Sequence, residues 1–176
     1  MKTIFCNFLD KINKDGTITL KPLGKAKNNV VKPMLPGWKD VVTEIMVDKT
    51  YTDGLDGIED YSHVIVVYWM NKEKECHLKH YPQGRGDVPF IGIFACRCPQ
   101  RPNRIAISTV KLLSRKGNRI EVKGLDIVSG TPILDLIPLN MIRLERPKSQ
   151  TGSKSLFFND ISGIFVRCAQ NGRELG

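Results

Sequence analysis

The chain has 176 residues, 41% hydrophobic and 26% charged, a composition typical of a folded soluble domain with a sizeable core. No apolar run approaches the ~20 residues of a membrane span, and the start, MKTIFCNFLDKINKDG, is a poor secretory signal, so we expect a cytoplasmic protein. Lysine and arginine number 27 against 18 acidic residues, and this net charge of +9 favours polyanionic partners, with a generally basic solvated surface as the alternative.

Short segments with period-two alternation of apolar residues run through the chain and predict β-strands. Residues 3–9 and 17–20 flank a turn at 13–16 and predict an N-terminal hairpin. A short helix is predicted around 53–61, with Thr52 as its cap, and 114–118 is predicted to connect a second hairpin. The other predicted strands are 22–27, 41–47, 64–69, 90–96, 105–113, 119–123 and 133–137.

Many short strands separated by turns indicate a mostly β fold, either a closed barrel or a sandwich. The sequence contains no GxGxxG motif and no long β-α-β alternation, which argues against a doubly wound nucleotide-binding fold. The segment 143–154 is polar, basic and rich in turn residues. We therefore divide the chain into an N-terminal extension at 1–19, a β domain at 20–142, and a linker with a small C-terminal element at 143–176.

A rigid cationic corner interrupts two predicted strands at residues 97–104, which read RCPQRPNR. Its two prolines fix φ and bias the preceding residues toward extended backbone, so the arginines are displayed on a stiff loop. Such a loop suits the binding of a carboxylate, a phosphate or a polar base edge. The alternative is an ordinary solvent-exposed turn.

A single acid, Asp126, lies among apolar residues in GLDIVSGTP, just before a tight turn. Its carboxylate has two interpretations of equal weight: a functional group that binds a ribose or nucleobase or accepts a proton, and a cap for the turn. His63, which has no assured carboxylate neighbour, is interpreted as a packing histidine.

Five cysteines in a chain without an export signal indicate reduced thiols. A zinc site built from Cys76, His77, His80, Cys96 and Cys98 is an alternative, but the spacing of Cys96 and Cys98 is not the usual two-residue spacer of zinc motifs. We therefore expect no metal site and interpret the cysteines as packed or incidental.

Three stretches together carry a resemblance to a known family: EDYSHVIVVYW, FACRCPQRPNRIAIS and VKGLDIVSGTPILDLIP. They resemble FSH, FATRSPFRPNPIGLS and LDLVDGTPVLDIKPY of the TrmO/YaeB (TsaA-like) family, in the same order and at comparable spacing. The resemblance begins at about Leu20, where PLGKAKN is similar to the family's first strand, and ends at about Leu139.

This resemblance implies a single-sheet β-barrel, here with a short helix and a small C-terminal extension, that dimerises and binds S-adenosylmethionine. It also implies that the protein methylates the exocyclic amino nitrogen of threonylcarbamoyl-adenosine next to a tRNA anticodon. Carried over motif by motif, the cofactor contacts would be Asn71, Lys72, Arg97, Ile107, Lys123, Gly124, Leu125 and Asp126. Leu35 occupies a position where the family often has a polar residue, so only its backbone could contribute.

The chemistry implied by the resemblance assigns roles to the corner and to Asp126. A nitrogen that bears a carbamoyl group is a poor nucleophile until it is deprotonated, and Asp126 is the candidate base. Preorganised donors would stabilise the developing anion, with Arg101 and Asn103 as candidates. Arg101, Asn103 and Arg104 are the candidate RNA contacts, because phosphates attract cationic loops.

Two departures from the family pattern bear on the substrate. RPNPIG is replaced by RPNRIAI, which introduces Arg104 and removes a glycine. The family's DIKPY is replaced by residues 135–139, DLIPL, which lack its lysine and tyrosine. A barrel that binds RNA or the cofactor without catalysis is therefore the alternative hypothesis.

Overall fold

Six antiparallel strands form the main element of the structure, a computed structural model that describes residues 13–33 and 37–139. The strands are β1 Gly24–Lys27, β2 Val42–Val47, β3 His63–Trp69, β4 Lys79–His80, β5 Ile91–Gly92, β6 Ile105–Lys116, β7 Arg119–Lys123 and β8 Pro132–Leu139. The barrel closes in the order β1-β2-β7-β6-β3-β8, and β4 and β5 form a separate two-stranded sheet. The predicted barrel is confirmed.

The core lies inside the barrel, because alternate residues of each strand point to its axis. On β3, Val64, Val66 and Tyr68 are buried while the residues between them are more exposed. Ile45 and Ile120, from the neighbouring strands β2 and β7, are fully buried beside each other. Burying each such side chain contributes about 1.5–3 kcal/mol, so the period-two pattern fixes the strand register.

The predicted short helix around 53–61 consists of two 3₁₀ segments, Lys49–Leu55 and Ile58–Asp60. Gly57, with φ of 83°, separates them, because a left-handed residue cannot continue a right-handed helix. The residue that caps the first segment is Asp48, whose side chain accepts from the backbone N–H of Thr50, rather than the predicted Thr52.

The predicted strand at 90–96 is wrong over most of its length. Only Ile91–Gly92 is a strand, and Ile93–Ala95 forms a 3₁₀ turn that buries Ile93 and leaves Phe94 exposed. The strand ends because its partner, Lys79–His80, is only two residues long. The turn directs the chain into the corner at 97–104.

The other predicted strands in the barrel are confirmed with shifts of at most three residues at an end. In the segment 17–20, only Ile18 forms an isolated bridge, although the turn at 13–16 is present, with Gly16 N–H donating to the Asn13 carbonyl at 2.8 Å. Most of the N-terminal extension and the whole segment 143–176 lie outside the described residues, so the predicted domain boundaries stay predictions. In the described part of the chain, every helical segment is too short or too polar to cross a membrane.

Candidate functional site

A cavity of about 850 Å³ lies at one end of the barrel, where β3 ends and β6 begins. Its walls come from the end of β3 and the residues after it, the corner with the 3₁₀ turn before it, the first residues of β6, and the loop between β7 and β8. Pro33 and Trp38, from the segment between β1 and β2, complete them. The lining includes the inward-facing Tyr68 and the outward-facing Ile107, so the cavity crosses the rim of the barrel. Its lining residues are Pro33, Trp38, Tyr68, Met70, Asn71, Lys72, Glu73, Phe94, Cys96, Arg97, Pro99, Arg101, Ile105, Ala106, Ile107, Asp126, Ile127, Val128 and Thr131.

The loop that carries Asp126 is fixed at both ends by backbone hydrogen bonds. At its start, Gly124 N–H donates to the Val41 carbonyl at 2.9 Å, and Leu125 is fully buried in the core. Farther along, Ser129 N–H donates to the Val30 carbonyl at 2.7 Å. Asp126 is therefore presented to the cavity on a backbone with little freedom to move.

Asn28 links this loop to the barrel wall through its side-chain amide. Its Nδ2 donates to the Ile127 carbonyl at 2.9 Å and to Thr43 Oγ1 at 3.0 Å, while its Oδ1 accepts from Val30 N–H at 2.9 Å. Since Thr43 is fully buried, the amide ties the loop to a rigid part of the sheet.

Asp126 is the centre of a hydrogen-bonded group of three side chains. Its Oδ1 accepts from Ser108 Oγ at 2.5 Å and from Tyr68 Oη at 3.1 Å, and the two hydroxyl oxygens are 3.2 Å apart. Tyr68 and Ser108 are each only 4% exposed. One carboxylate oxygen is thus held by two buried donors, which fixes the direction of the carboxyl group.

Burial controls the protonation of this group. Loss of hydration raises the pKa of Asp126 above its ordinary value, and the hydrogen bonds from Ser108 and Tyr68 and the attraction of Arg97 oppose that rise. Burial also raises the pKa of Tyr68, so its hydroxyl stays protonated and serves as a donor. A carboxylate with a raised pKa is a stronger base than an ordinary aspartate, and it lies at a cavity wall.

The corner forms another wall of the cavity and is held by its own arginine, Arg101. Arg101 Nη1 donates to the carbonyls of Cys96 at 2.8 Å and Ile93 at 3.2 Å, and its guanidinium lies 5.6 Å from the centre of the Phe94 ring. These contacts fasten the corner to the 3₁₀ turn before it. Arg97, on the same wall, is close enough to Asp126 to affect its charge.

The structure brings together six of the residues predicted from the sequence. Asn71, Lys72, Arg97, Arg101, Ile107 and Asp126 all line the cavity. Three predicted cofactor contacts do not line it. Lys123 Nζ pairs with Asp40 Oδ1 at 2.9 Å, and Leu125 is a core residue. Gly124 N–H donates to the carbonyl of Val41, the residue before β2. Leu35 lies outside the described residues.

The two other predicted RNA contacts also lie outside the lining of the cavity. Asn103 is exposed, and Arg104 Nη2 donates to the Lys74 carbonyl at 3.3 Å. Arg104 has φ of 53°, in the left-handed region, which a proline cannot adopt. The exchange of the family's proline for Arg104 therefore accompanies a particular backbone conformation at this position.

Sequence reasoning missed Tyr68 and Ser108 as site residues. A signal was present, because both lie at inward-facing positions of strands whose other inward positions are apolar, such as Val66 and Val110. A hydroxyl at such a position needs a buried partner. That partner is Asp126, which lies 58 residues after Tyr68 and 18 residues after Ser108 in the chain. Only the closed barrel brings the three side chains together.

Comparison with known families decides the classification of the chain. Residues 26–141 match the model of the tRNA-methyltransferase O N-terminal domain (TrmO_N). The chain belongs to this family. The match includes all the barrel strands after the first two residues of β1, the corner and the Asp126 loop, so every wall of the cavity lies in the TrmO_N domain.

Individual proteins similar to this chain have names related to S-adenosylmethionine or to TrmO. The chain is 37% identical over 123 residues to an S-adenosyl-L-methionine-binding protein of Archaeoglobus fulgidus, covering 66% of this chain and 86% of that protein. It is 31% identical to a putative S-adenosylmethionine-dependent methyltransferase of Pseudomonas aeruginosa, covering 61% of this chain but only 47% of that protein. A crystal structure of TrmO shares the fold with a TM-score of 0.59 at 24% identity, over 77% of this chain and 64% of the solved one.

Proposed function

We propose that the protein is an S-adenosylmethionine-dependent methyltransferase that acts on the exocyclic amino nitrogen of threonylcarbamoyl-adenosine next to a tRNA anticodon. Membership of the TrmO_N family supports the reaction class. The observation that carries the proposal is the position of Asp126, a half-buried, hydrogen-bonded carboxyl group at the wall of a cavity.

The cavity suits S-adenosylmethionine in size and chemistry. Its volume of about 850 Å³ lies within the ~300–1,000 Å³ range of small-molecule pockets. Apolar side chains such as Met70 and Val128 provide surface for the adenosine, and Arg97 offers a guanidinium for the amino-acid carboxylate. Asn71, Lys72 and the backbone around Ile107 complete the proposed contacts. When bound, the cofactor supplies a methyl group that its sulfonium makes electrophilic.

The chain's own contribution to the reaction is positioning and removal of a proton. The carboxylate of Asp126 would accept the proton of the substrate nitrogen, directly or through one water, within about 3 Å. Ser108 and Tyr68 hold Oδ1, so they orient the carboxylate and keep it ionised at a lower pH than burial alone would allow. Arg101 and Asn103 are the proposed donors to charge that develops on the substrate.

The net charge of +9 supports tRNA as the partner, since each neutralised phosphate releases counterions. We place the tRNA contacts at Arg101, Asn103 and Arg104, on the corner that walls the cavity. A protein that modifies tRNA works where tRNA is made and used, which agrees with a cytoplasmic location.

The proposal includes a homodimer, supported by an apolar strip on the outside of the barrel. On β3 and β6, Val67 pairs with Ile107 and Trp69 pairs with Ile105. The side chains of Trp69, Ile105 and Ile107 are 41%, 38% and 50% exposed. Because Ile105 and Ile107 also line the cavity, a second copy on this strip would cover its mouth.

Light scattering tests the dimer directly. We expect the wild type to be a dimer at micromolar concentration and Ile137→Lys, on the adjoining strand β8, to be monomeric. Val42→Lys is the matched control, because it places the same charge at an exposed position on β2, two strands away from β8 around the barrel. A monomeric wild type, with cofactor present, would contradict the dimer.

The second candidate function is a barrel that binds the cofactor or RNA without catalysis. It is favoured by the residues at 135–139, which lack the lysine and tyrosine of the resembling family, and by the name of the Archaeoglobus fulgidus relative as a binding protein. Nucleoside mass spectrometry of tRNA from cells with and without this gene separates the two. Methylated threonylcarbamoyl-adenosine that disappears with the gene supports the enzyme, and unchanged nucleosides support the binding protein.

A further inference from the structure

Three metal-ligating side chains converge beside the cavity: His80, Cys96 and Cys98. His80 Nε2 lies 3.0 Å from Cys96 Sγ, and the ligand atoms of all three residues lie within 4.8 Å of one another. Each residue is half-buried. We propose that these three side chains bind a structural zinc ion and that this ion fixes the corner against the two-stranded sheet.

The set of atoms is one that zinc prefers. An imidazole nitrogen and two thiolates match the ligand types of zinc sites, and bond lengths of about 2.1 and 2.3 Å place the ligand atoms roughly 3.5 Å apart around the ion. The observed separations, from 3.0 Å to at most 4.8 Å, bracket that value, so small side-chain rotations are sufficient. Two thiolates neutralise the charge of the ion, their two protons go to solvent, and water completes a tetrahedral site.

The backbone around the cluster already holds the ligands in place. Strands β4 and β5 pair His80 with Ile91, and Ile93 N–H donates to the Leu78 carbonyl at 3.0 Å. This brings the histidine strand beside the turn that leads to Cys96. Cys98 N–H donates to Cys96 Sγ at 3.2 Å, which stabilises a thiolate at that sulfur and orients it as an outer-shell contact does in known sites.

A stabilising role follows from the small size of this sheet. Strands of two residues bury little surface, and an isolated two-stranded sheet is marginally stable in water. A bound ion links residues 16 and 18 positions apart and so removes freedom from the segment between them. Arg97 lies between the two cysteine ligands and lines the cavity, so the same ion would fix the backbone that presents Arg97.

The spacing of the cysteines did not reveal the cluster, because only the pairing of β4 with β5 brings His80 to them. Two other members of the sequence-level zinc alternative are separate. Cys76 is exposed and lies outside the cluster, and His77 Nε2 is 2.9 Å from Glu75 Oε2. These two residues supply matched control substitutions.

The test is zinc binding by the full-length chain, purified on a removable tag without histidines and stripped with a chelator. Zinc is returned in competition with a metal-sensitive dye, and bound zinc is counted by elemental mass spectrometry. We expect one zinc per chain, a raised melting temperature and slower proteolysis within 97–104. Cys98→Ser and His80→Asn should lose the bound zinc and the zinc-dependent changes, while Cys76→Ser and His77→Asn keep them.

A folded wild-type chain that takes up no zinc would overturn the proposal, as would Cys98→Ser that binds zinc as tightly as the wild type. A double substitution of Cys6 and Cys168, the remaining cysteines of the sequence, must also leave zinc binding unchanged. Cobalt gives a spectroscopic readout of the ligands themselves: its thiolate charge-transfer bands should appear with the wild type and weaken in a folded Cys98→Ser. A Cys96–Cys98 disulfide in the freshly purified protein counts against zinc.

Discussion

Ser108 Oγ donates a hydrogen bond of 2.5 Å to Asp126 Oδ1, joining the first part of β6 to the loop after β7. Tyr68 Oη donates to the same oxygen from β3, so three separate segments of the barrel meet at one carboxylate. The base proposed for the reaction is therefore held by the barrel itself. The consequences of this arrangement can be measured.

The pH dependence of stability follows from the raised pKa of Asp126. Burial raises the pKa in the folded state, so the protonated form is favoured by folding, and the resulting stability is complete below the unfolded pKa of about 3.9 and is lost as pH rises through the folded pKa. Asp126→Asn has no such loss. Urea unfolding should show this variant gaining stability relative to the wild type as pH rises from about 4 through the folded-state pKa of Asp126. A difference that is constant with pH, or that falls as pH rises, would contradict the assignment.

The hydroxyls of Ser108 and Tyr68 are predicted to set the acid limb of the pH–rate profile. Each hydrogen bond lowers the pKa of Asp126, and that of Ser108 does so more strongly. Ser108→Ala and Tyr68→Phe should therefore shift the limb to higher pH, with the larger shift in Ser108→Ala, and lower kcat more than they raise KM. Tyr81→Phe, at an exposed tyrosine outside the cavity lining, is the control. Profiles that superimpose on the wild type would exclude a positioning role for both hydroxyls.

Arg97 is predicted to bind the carboxylate of S-adenosylmethionine. Loss of one charge-assisted hydrogen bond costs about 1.5–3 kcal/mol, so Arg97→Ala should weaken binding by roughly one to two decades. Calorimetry measures both proteins. Arg85→Ala is the control, because Arg85 pairs with Asp87 and does not line the cavity. Equal affinity of Arg97→Ala and the wild type would remove this contact.

The corner arginines are predicted to contact tRNA phosphates. The structure separates their effects: Arg101 also supports the cavity wall through the carbonyls of Ile93 and Cys96, whereas Arg104 does not line the cavity. Arg104→Ala should lower the salt slope of log affinity for tRNA by about 0.7–0.9 and leave cofactor affinity unchanged. Adding Arg101→Ala should lower the salt slope again and also weaken the binding of the cofactor.

Titrations of tRNA at several salt concentrations measure these slopes, beside a cofactor titration. Lys116→Ala removes one positive charge at the far end of β6, away from the corner, and is the control. If Arg104→Ala keeps the wild-type slope, the arginine is structural and the RNA surface lies elsewhere on the protein.

Period-two patterns were sufficient to predict the barrel strands, because the alternation of buried and exposed side chains is written directly in segments such as 64–69 and 119–123. These patterns failed for 90–96. Only the first part of that apolar run pairs with the short strand Lys79–His80, and Ile93–Ala95 forms a 3₁₀ turn instead of a strand. Local sequence contains no signal for a partner of two residues.

The candidate site was also only partly predictable from the sequence, because some of its contacts join residues far apart along the chain. Motifs located Arg97 and Asp126, since each lies in a stretch that is unusual by itself. The hydrogen bonds that give Asp126 its properties come from Tyr68 and Ser108, which reach it only when the barrel closes. The convergence of His80 with Cys96 has the same origin, in the pairing of β4 with β5.

Methyl transfer to tRNA with Asp126 as base can be followed with an isotope-labelled cofactor. Purified protein is incubated with S-adenosylmethionine that carries a deuterated methyl group and with tRNA that contains threonylcarbamoyl-adenosine, and the digested nucleosides are analysed by mass spectrometry. We expect a labelled methyl group on that nucleoside with the wild type. The rate should be lower by about 10²–10⁴-fold in Asp126→Asn and unchanged in the exposed control Asp53→Asn. Cofactor-bound wild-type protein that transfers no label would contradict methyl transfer, and Asp126→Asn that transfers it at the wild-type rate would contradict the role of Asp126 as base.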